Sequence, residues 1–139
     1  MSSRLYAVVL VIGCLGFALP VAAQLDSTAL RAKYGEPLAR ETFQVRPNIE
    51  AIVIYGTTRQ VCKIELPPWR NAVTTQQVDE VIAELVPLAV RGKEIRRMIA
   101  STGRNSLSSV EYENVNIAEP QDNGRRTAVT ITFNRPDCH

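Results

Sequence analysis

The sequence predicts an α+β domain in which a mostly antiparallel sheet of about five strands carries two or three helices on one face. Two features lead to this prediction: apolar residues alternate with polar ones in several segments, and they recur every three or four positions in others. Short turn sequences join the alternating segments, which favours antiparallel pairing. The predicted order is α-β-β-β-α-β-β, with the helices covering one side of the sheet.

The first half of the chain predicts one short helix and three strands. Asp26 and Ser27 are suitable N-cap residues, and Gly35 ends the helix, which places it near residues 27–34. Alternating or β-branched residues predict the strands, which span residues 41–46, 49–55 and 60–66.

The middle of the chain predicts a second, longer helix. Thr74 or Thr75 can cap its N-terminus, and Pro87 ends it, because proline has no N–H for the helical hydrogen bond. A further helical turn or two is predicted around residues 95–99, where apolar residues again follow helical spacing. The residues expected on the apolar face of the longer helix are Val78, Val81, Ile82 and Leu85.

The last part of the chain predicts a hairpin of two strands, over residues 110–118 and 125–133. Asn123-Gly124 is the strongest turn signal in the chain, because both residues readily adopt a positive φ. The alternation in the second of these strands directs its apolar residues to the core.

The composition is that of one globular domain. The chain has 139 residues, of which 45% are hydrophobic and 22% charged, and its 8 prolines and 7 glycines exclude collagen-like and low-complexity classes. A net charge of +2 gives no reason to expect nucleic acid as a partner. One histidine and three cysteines are too few for a zinc site, so we expect neither a metal nor a cofactor.

Residues 1–23 have the features of a secretory signal peptide, which leaves residues 24–139 as one mature domain. Arg4 supplies the positive charge, an apolar run follows, and small residues precede Gln24. This run is shorter than the ~20 residues of a membrane-spanning helix, so we expect no transmembrane segment in the mature chain. A retained N-terminal anchor is the alternative.

A second processing route is open at Cys14. The residues Val11-Ile12-Gly13-Cys14 resemble a bacterial lipobox, in which the cysteine is lipidated. The sequence stays apolar after Cys14, which favours cleavage before Gln24 instead. By either route the domain is exported, and we expect a periplasmic or secreted protein.

Cys62 and Cys138 are the two cysteines that remain after removal of the leader. In an oxidising compartment such a pair most simply forms a disulfide, here between positions that lie 76 residues apart. The alternative is a thiol redox site, but the chain has no C-x-x-C spacing. The sequence therefore predicts a structural disulfide between the third strand and the end of the last strand.

The most concentrated charged feature is basic. Between positions 91 and 104, five cations and one acid give a local charge of 5 − 1 = +4. In an exported protein these cations could bind an anionic lipid, an anionic polymer or an acidic surface of an envelope protein. The alternative is a solvated helix face whose long side chains cover apolar neighbours. The cations are Arg91, Lys93, Arg96, Arg97 and Arg104.

Trp69 is the second candidate for a contact with a partner. It follows Pro67-Pro68 in a rigid loop, and tryptophan in such a position can anchor an interface. The alternative is that the ring folds back as a lid on the core.

No catalytic constellation is evident in the sequence. The single histidine is His139, the last residue, so a Ser-His-Asp arrangement has no well-placed base. Glu111 and Glu113 are expected on one face of a strand, without a further ligand beside them. We therefore predict no catalytic residue and no metal-binding residue.

Several short strings are spread over most of the mature chain. They are Lys33-Tyr34-Gly35, Glu41-Thr42-Phe43, Val45-Arg46-Pro47, Tyr55-Gly56, Gln60-Val61-Cys62, Leu85-Val86-Pro87, Arg91-Gly92-Lys93 and the terminal Cys138. In these strings the chain resembles a group of uncharacterised small exported bacterial proteins, mainly acidobacterial, with no assigned activity. The resemblance implies export and a shared domain, and it transfers no catalytic residue.

These features favour a non-enzymatic binding module in the cell envelope or outside the cell. Two alternatives stay open. A small hydrolase would use carboxylates that only folding brings together, and two facing acids in a pocket, one with a raised pKa, would indicate it. A secreted protein inhibitor would be indicated by a protruding Trp69 loop.

Overall fold

The computed structural model describes residues 27–35, 41–56, 58–69 and 72–138. The helices of this part are α1 (Ser27–Tyr34), α2 (Thr75–Leu85) and α3 (Leu88–Arg91), with a short 3-10 helix at Pro136–Cys138. The strands are β1 (Thr42–Arg46), β2 (Ile49–Tyr55), β3 (Val61–Leu66), β4 (Glu94–Thr102), β5 (Asn105–Tyr112), β6 (Val115–Asp122), β7 (Arg125–Arg126) and β8 (Val129–Phe133).

Some of the features predicted from sequence lie outside the described residues. They are the signal peptide of residues 1–23, the lipobox at Cys14, the Asp26 cap and the terminal His139. Among the helices of the described part, none combines the length and the apolar composition that crossing a bilayer needs.

The strands form one sheet, in the order β1-β2-β3-β8-β6-β5-β4, and β7 pairs with β6 beside this path. All of the pairings are antiparallel. The predicted α+β class with a mostly antiparallel sheet is therefore confirmed. The predicted number of strands is wrong, because the described part of the chain has eight strands and not about five.

One turn, one break in a strand and one wrongly assigned segment account for this difference. The segment 110–118 is not one strand, because a turn at Glu113-Asn114 divides it between β5 and β6. The segment 125–133 is likewise divided into β7 and β8. Residues 95–99, predicted as a helical turn, lie inside β4.

At residues 94–102, pairing with a neighbouring strand decides the conformation, although the spacing of the apolar residues fits a helix. Gly92 adopts φ +76 and caps the one-turn helix α3, so the chain leaves the helix before the apolar residues of β4 begin. The segment then pairs with β5 from Glu94 to Thr102, with a bulge between Glu94 and Arg96. Helical spacing of three apolar residues is too short a signal to compete with this pairing.

The hydrophobic core lies on one face of the sheet. The registers align Ile64, Ile131, Ile117 and Val110 in one row across β3, β8, β6 and β5, and all four are buried. The next position of this row is Arg97 in β4, where burial ends. The helices pack into the same core through Leu30, Val78, Val81, Ile82 and Leu85.

Local sequence chemistry defines both ends of α2. Thr74 and Gln77 form a capping box, in which the Thr74 side chain accepts from the Gln77 N–H and the Gln77 side chain accepts from the Thr74 N–H. The helix ends at Leu85, two residues before Pro87, as predicted. α2 packs into the core through its buried face, and β4 lies at the edge of the sheet.

The predicted disulfide between Cys62 and Cys138 is confirmed. It joins β3 to the C-terminal 3-10 helix, with the two Cα atoms 5.2 Å apart. Gly56 packs directly against this link, because a Cβ at that position would lie 2.6 Å from the Asp137 carbonyl oxygen and 2.7 Å from Cys62 Sγ. The Thr58 hydroxyl donates a hydrogen bond to the Asp137 carboxylate and so holds the same segment.

Glu84 joins α2 to α1 and β1. Its carboxylate accepts from Lys33 Nζ at 2.8 Å and forms an ion pair with Arg46. The hydrogen bond from Lys33 lowers the pKa of Glu84, partial burial opposes this shift, and Arg46 adds to the lowering. Burial, and then the negative charge of Glu84, raise the pKa of the neighbouring Tyr34 hydroxyl.

We expect Glu84→Gln to lower the free energy of unfolding at pH 7 by about 1 kcal/mol, because it removes the charge that Lys33 and Arg46 share. A carboxyl group with a lowered folded-state pKa stabilises the fold above its ordinary pKa and loses this contribution as the pH falls through the folded value. The difference between wild type and variant should therefore shrink in acid, as measured by urea unfolding at pH 7 and below pH 4 (about the ordinary carboxyl pKa). Glu80→Gln, on the exposed side of the same helix, is the control and should change neither value. A difference that is constant with pH would contradict the assigned role of Glu84.

Candidate functional site

The β4–β5 hairpin forms the outer end of the sheet. β4 pairs with β5 on one side, and no described strand pairs with its other side. All nine of its residues are exposed. Because an edge strand presents the N–H and C=O of every second residue to solvent, β4 has the backbone groups needed to bind another extended chain.

The hairpin also exposes apolar side chains. Ile95, Met98 and Ile99 in β4 have exposed fractions of 61%, 48% and 70%, and Leu107 in β5 has 44%. Leu88 in α3 is 73% exposed and lines the same groove as Arg97 of β4. Apolar side chains concentrated in one exposed hairpin and rimmed by charges are typical of a contact surface.

Strand geometry separates two cations that a helix would have grouped. Arg96 and Arg97 are adjacent in β4, so their side chains point to opposite faces of the sheet. Arg96 forms an ion pair with Glu111 at 2.9 Å, and Arg97 binds the two carboxylate oxygens of Glu94 at 3.1 and 2.8 Å. The hydrogen bond with Glu94 raises the pKa of Arg97.

The other three predicted cations divide into one structural residue and two exposed ones. Arg91 donates from Nε to the Val86 carbonyl at 2.6 Å, and its guanidinium lies 5.7 Å from the centre of the Tyr112 ring. It therefore holds α3 against β5. Lys93 and Arg104 lie at the two ends of β4, both exposed, and neither forms an ion pair with another described residue. These two cations are accessible to an external anion.

A groove lies between α2 and the hairpin, on the core side of the sheet. It has a volume of about 420 Å³, and its floor is apolar, with Val110 and Ile117 from β5 and β6. Arg126 crosses one rim, where it forms ion pairs with Asp79 at 2.6 Å and Glu119 at 3.2 Å. The groove therefore lies between the residues of α2 and α3 and those of β4, β5 and β6.

Trp69 lies at the opposite end of the sheet from the hairpin. Its ring is half-buried and packs against the hydrophobic core, beside a recess of about 320 Å³ that Gln44, Glu50 and Pro67 help to line. The Trp69 ring therefore does not protrude in the way that the inhibitor alternative requires. Trp69 and the five cations do not form one site.

A second cleft lies near the β2–β3 turn. It has a volume of about 620 Å³ and is lined in part by Arg31, Glu41, Tyr55 and Gln60, with Arg31 and Glu41 in an ion pair at 3.5 Å. Sequence reasoning missed this cleft because its residues come from separate elements. No spacing pattern in the chain could have indicated it.

The acidic residues do not form a facing pair at the hairpin. Glu111 lies in β5 and binds Arg96, whereas Glu113 lies in the turn after β5, where its Oε2 accepts from the Lys93 N–H at 3.0 Å. The prediction that both lie on one strand face is therefore wrong. Glu84 has a lowered pKa, which is the opposite of what a general acid requires.

One cluster of residues of the types that bind metal ions lies at the C-terminal disulfide. Potential ligand atoms of Cys62, Asp137 and Cys138 lie within 4.8 Å of one another. The two sulfur atoms are bonded to each other, so they offer no thiolate to a metal ion. The interactions of this cluster are therefore the disulfide and the hydrogen bond between Thr58 and Asp137.

Comparison of the chain with protein-family models, with curated proteins and with solved structures gave no match.

Proposed function

We propose that the chain is an exported, non-enzymatic binding module that contacts an anionic partner through the β4–β5 hairpin. The observation that carries the proposal is the nine-residue strand β4, which is exposed along its whole length and ends in accessible cations. β4 is the edge strand of the sheet and has no buried residue, so a partner can reach it without disturbing the core.

Export is supported by three features. The leader-like residues 1–23 precede the domain, and the resemblance to small exported bacterial proteins covers most of the rest. The disulfide between Cys62 and Cys138 is of a kind that persists in oxidising compartments such as the periplasm or the exterior. The binding surface would accordingly meet envelope components or extracellular molecules.

The spacing of the accessible cations favours an extended anionic partner. Lys93 and Arg104 flank a strand of nine residues, which at ~3.3 Å per residue separates them by about 30 Å. A single small anion cannot bridge this distance. A surface of anionic lipid headgroups or a polyanionic polymer can contact both ends at once, and the apolar side chains between them suit a headgroup layer.

We expect Lys93→Glu combined with Arg104→Glu to weaken binding to vesicles of anionic phosphatidylglycerol by at least about tenfold in low salt. The reason is that each basic residue near such a surface contributes about 1 kcal/mol, and charge reversal replaces attraction by repulsion. Co-sedimentation with anionic and with neutral vesicles, at low and at physiological salt, measures the effect.

Arg59→Glu is the matched control for Lys93→Glu and Arg104→Glu made singly, because it reverses one charge on an exposed residue of the β2–β3 turn, away from the hairpin. Its binding should stay within about twofold of wild type. Equal binding by wild type and the double variant would contradict the proposed surface, and so would an equal loss in Arg59→Glu. A polyanionic polymer in place of the vesicles distinguishes a headgroup layer from an anionic chain.

A further inference from the structure

The register of the hairpin fixes which groups of β4 point outward. Thr102 and Asn105 close the two-residue Gly103-Arg104 turn and pair directly. Residues that flank a two-residue turn exchange hydrogen bonds with each other, and the bonding then alternates along the strand. The N–H and C=O groups of Arg97, Ile99 and Ser101 therefore point away from β5, toward the open edge.

We propose that this edge pairs with the same edge of a second copy of the chain, antiparallel, about a two-fold axis at Ile99. In this arrangement Ile99 pairs with Ile99 of the second copy, and Arg97 pairs with the second copy's Ser101, and the reverse. The two sheets then join into one continuous sheet across the dimer. The dimer does not depend on the proposed anionic partner, because it uses the backbone of β4.

The side chains favour a register centred on Ile99. This register places the most exposed large apolar residue of β4 against its own copy, and it sets Met98 opposite Ala100 and Arg96 opposite Thr102. No charged side chain then faces a like charge directly across the pair. A register centred on Arg97 would instead place two guanidinium groups opposite each other, which is destabilising.

The existing ion pairs favour a second copy over an acidic strand as the occupant. Arg96 and Arg97 in the middle of β4 already bind Glu111 and Glu94. An acidic strand would have to compete with these carboxylates, whereas a second β4 presents only hydroxyl and apolar groups to them. A second copy therefore pairs with the outward N–H and C=O groups of β4 and covers the exposed Ile99 side chain.

The size of this interface predicts a weak dimer. Nine residues at ~3.3 Å each form an edge about 30 Å long, and two such edges bury on the order of 1,000 Å² together. Interfaces of this size lie at the low end of specific association, so we expect a dissociation constant on the order of 10 µM.

Sedimentation velocity of the mature, oxidised protein, across about 1 to 200 µM, tests this proposal. We expect wild type to pass from monomer to dimer. Ile99→Lys sets two ammonium groups opposite each other at the axis, and Ser101→Pro removes an outward N–H without removing a hydrogen bond to β5. Each should raise the dissociation constant by roughly tenfold or more.

Ile54→Lys is the matched control, because Ile54 is 44% exposed in β2, at the other end of the sheet. Its dissociation constant should stay within about twofold of wild type. Urea unfolding checks that each variant is folded. If one of the two β4 variants does not fold, the dissociation constant of the other β4 variant tests the proposal.

Three results would overturn the proposal: wild type that remains monomeric at the highest concentration, a dimer that neither β4 variant weakens, or an equal loss in Ile54→Lys. The dependence on salt concentration distinguishes the dimer from the proposed contact with an anionic partner. The dimer should persist at high salt, whereas vesicle binding should not.

Discussion

Replacing Cys62 and Cys138 with serine should lower the free energy of unfolding by up to about 4 kcal/mol. The disulfide closes a loop between residues 76 positions apart, and loss of the link returns that conformational freedom to the unfolded chain. This loss is a large fraction of the 5–15 kcal/mol (roughly) that stabilises a typical domain. The 3-10 helix at the C-terminus, which holds Cys138, should detach from β3 first.

Urea unfolding monitored by Trp69 fluorescence measures this effect. Wild type with reductant is the internal control, because it breaks the same bond without changing the sequence. It should unfold at the same urea concentration as the double variant. The stabilising role of the disulfide would be contradicted if oxidised wild type were less than about 1 kcal/mol more stable than the double variant and the reduced wild type.

Phe133→Ala should cost about 3–5 kcal/mol, because it leaves a cavity at a fully buried aromatic position. Phe133 lies in β8 opposite Val115 of β6, where β8 joins the strands that lead to the hairpin. The cavity should therefore loosen the attachment of β6, β5 and β4 to the rest of the sheet.

Thr132→Ala is the control for this variant, because it changes the adjacent residue, whose side chain points to the opposite face of the sheet and is only partly buried. It should cost less than about 1 kcal/mol. Urea unfolding gives both values, and hydrogen exchange shows whether β5 and β6 amides lose protection in Phe133→Ala. A small effect at Phe133, or an equal effect at Thr132, would contradict the assigned position of the core.

The elements that could be predicted from the sequence are those whose local signals, such as turn residues and helix caps, agree with the pattern of buried residues. The Asn123-Gly124 turn is an example, because both residues adopt positive φ values of 51° and 74°. The capping box at Thr74 and the proline after α2 are others, since each acts within a few residues. Strands β2 and β3 were equally clear from their buried and alternating residues.

β4 could not be predicted in this way, because its conformation depends on β5 and not on its own sequence. Ile95, Met98 and Ile99 fit a helical face, and only the pairing with β5 makes the segment a strand. A signal that could have indicated a hairpin, and that the sequence analysis missed, is the Gly103-Arg104 pair between two segments that contain Ser and β-branched residues.

The candidate site was predictable in its residues and not in its arrangement. The five cations are visible in the sequence, but the carboxylate that binds Arg96 comes from Glu111, on the neighbouring strand. Alternation along β4 then separates Arg96 from Arg97, which a helical interpretation would have placed on one surface. Arg96 and Arg97 are exposed but each is paired with a carboxylate, and only Lys93 and Arg104 are both exposed and without an ion pair to another described residue.

The intact mass of the protein recovered from the envelope or culture medium of a bacterial host, after alkylation without reductant, is the most direct test of export and oxidation together. We expect the mass of a chain that starts at Gln24, with no alkylated cysteine. After reduction, two cysteines should become alkylated. A mass that still includes residues 1–23, or two thiols that react before reduction, would contradict an exported module closed by the Cys62–Cys138 disulfide.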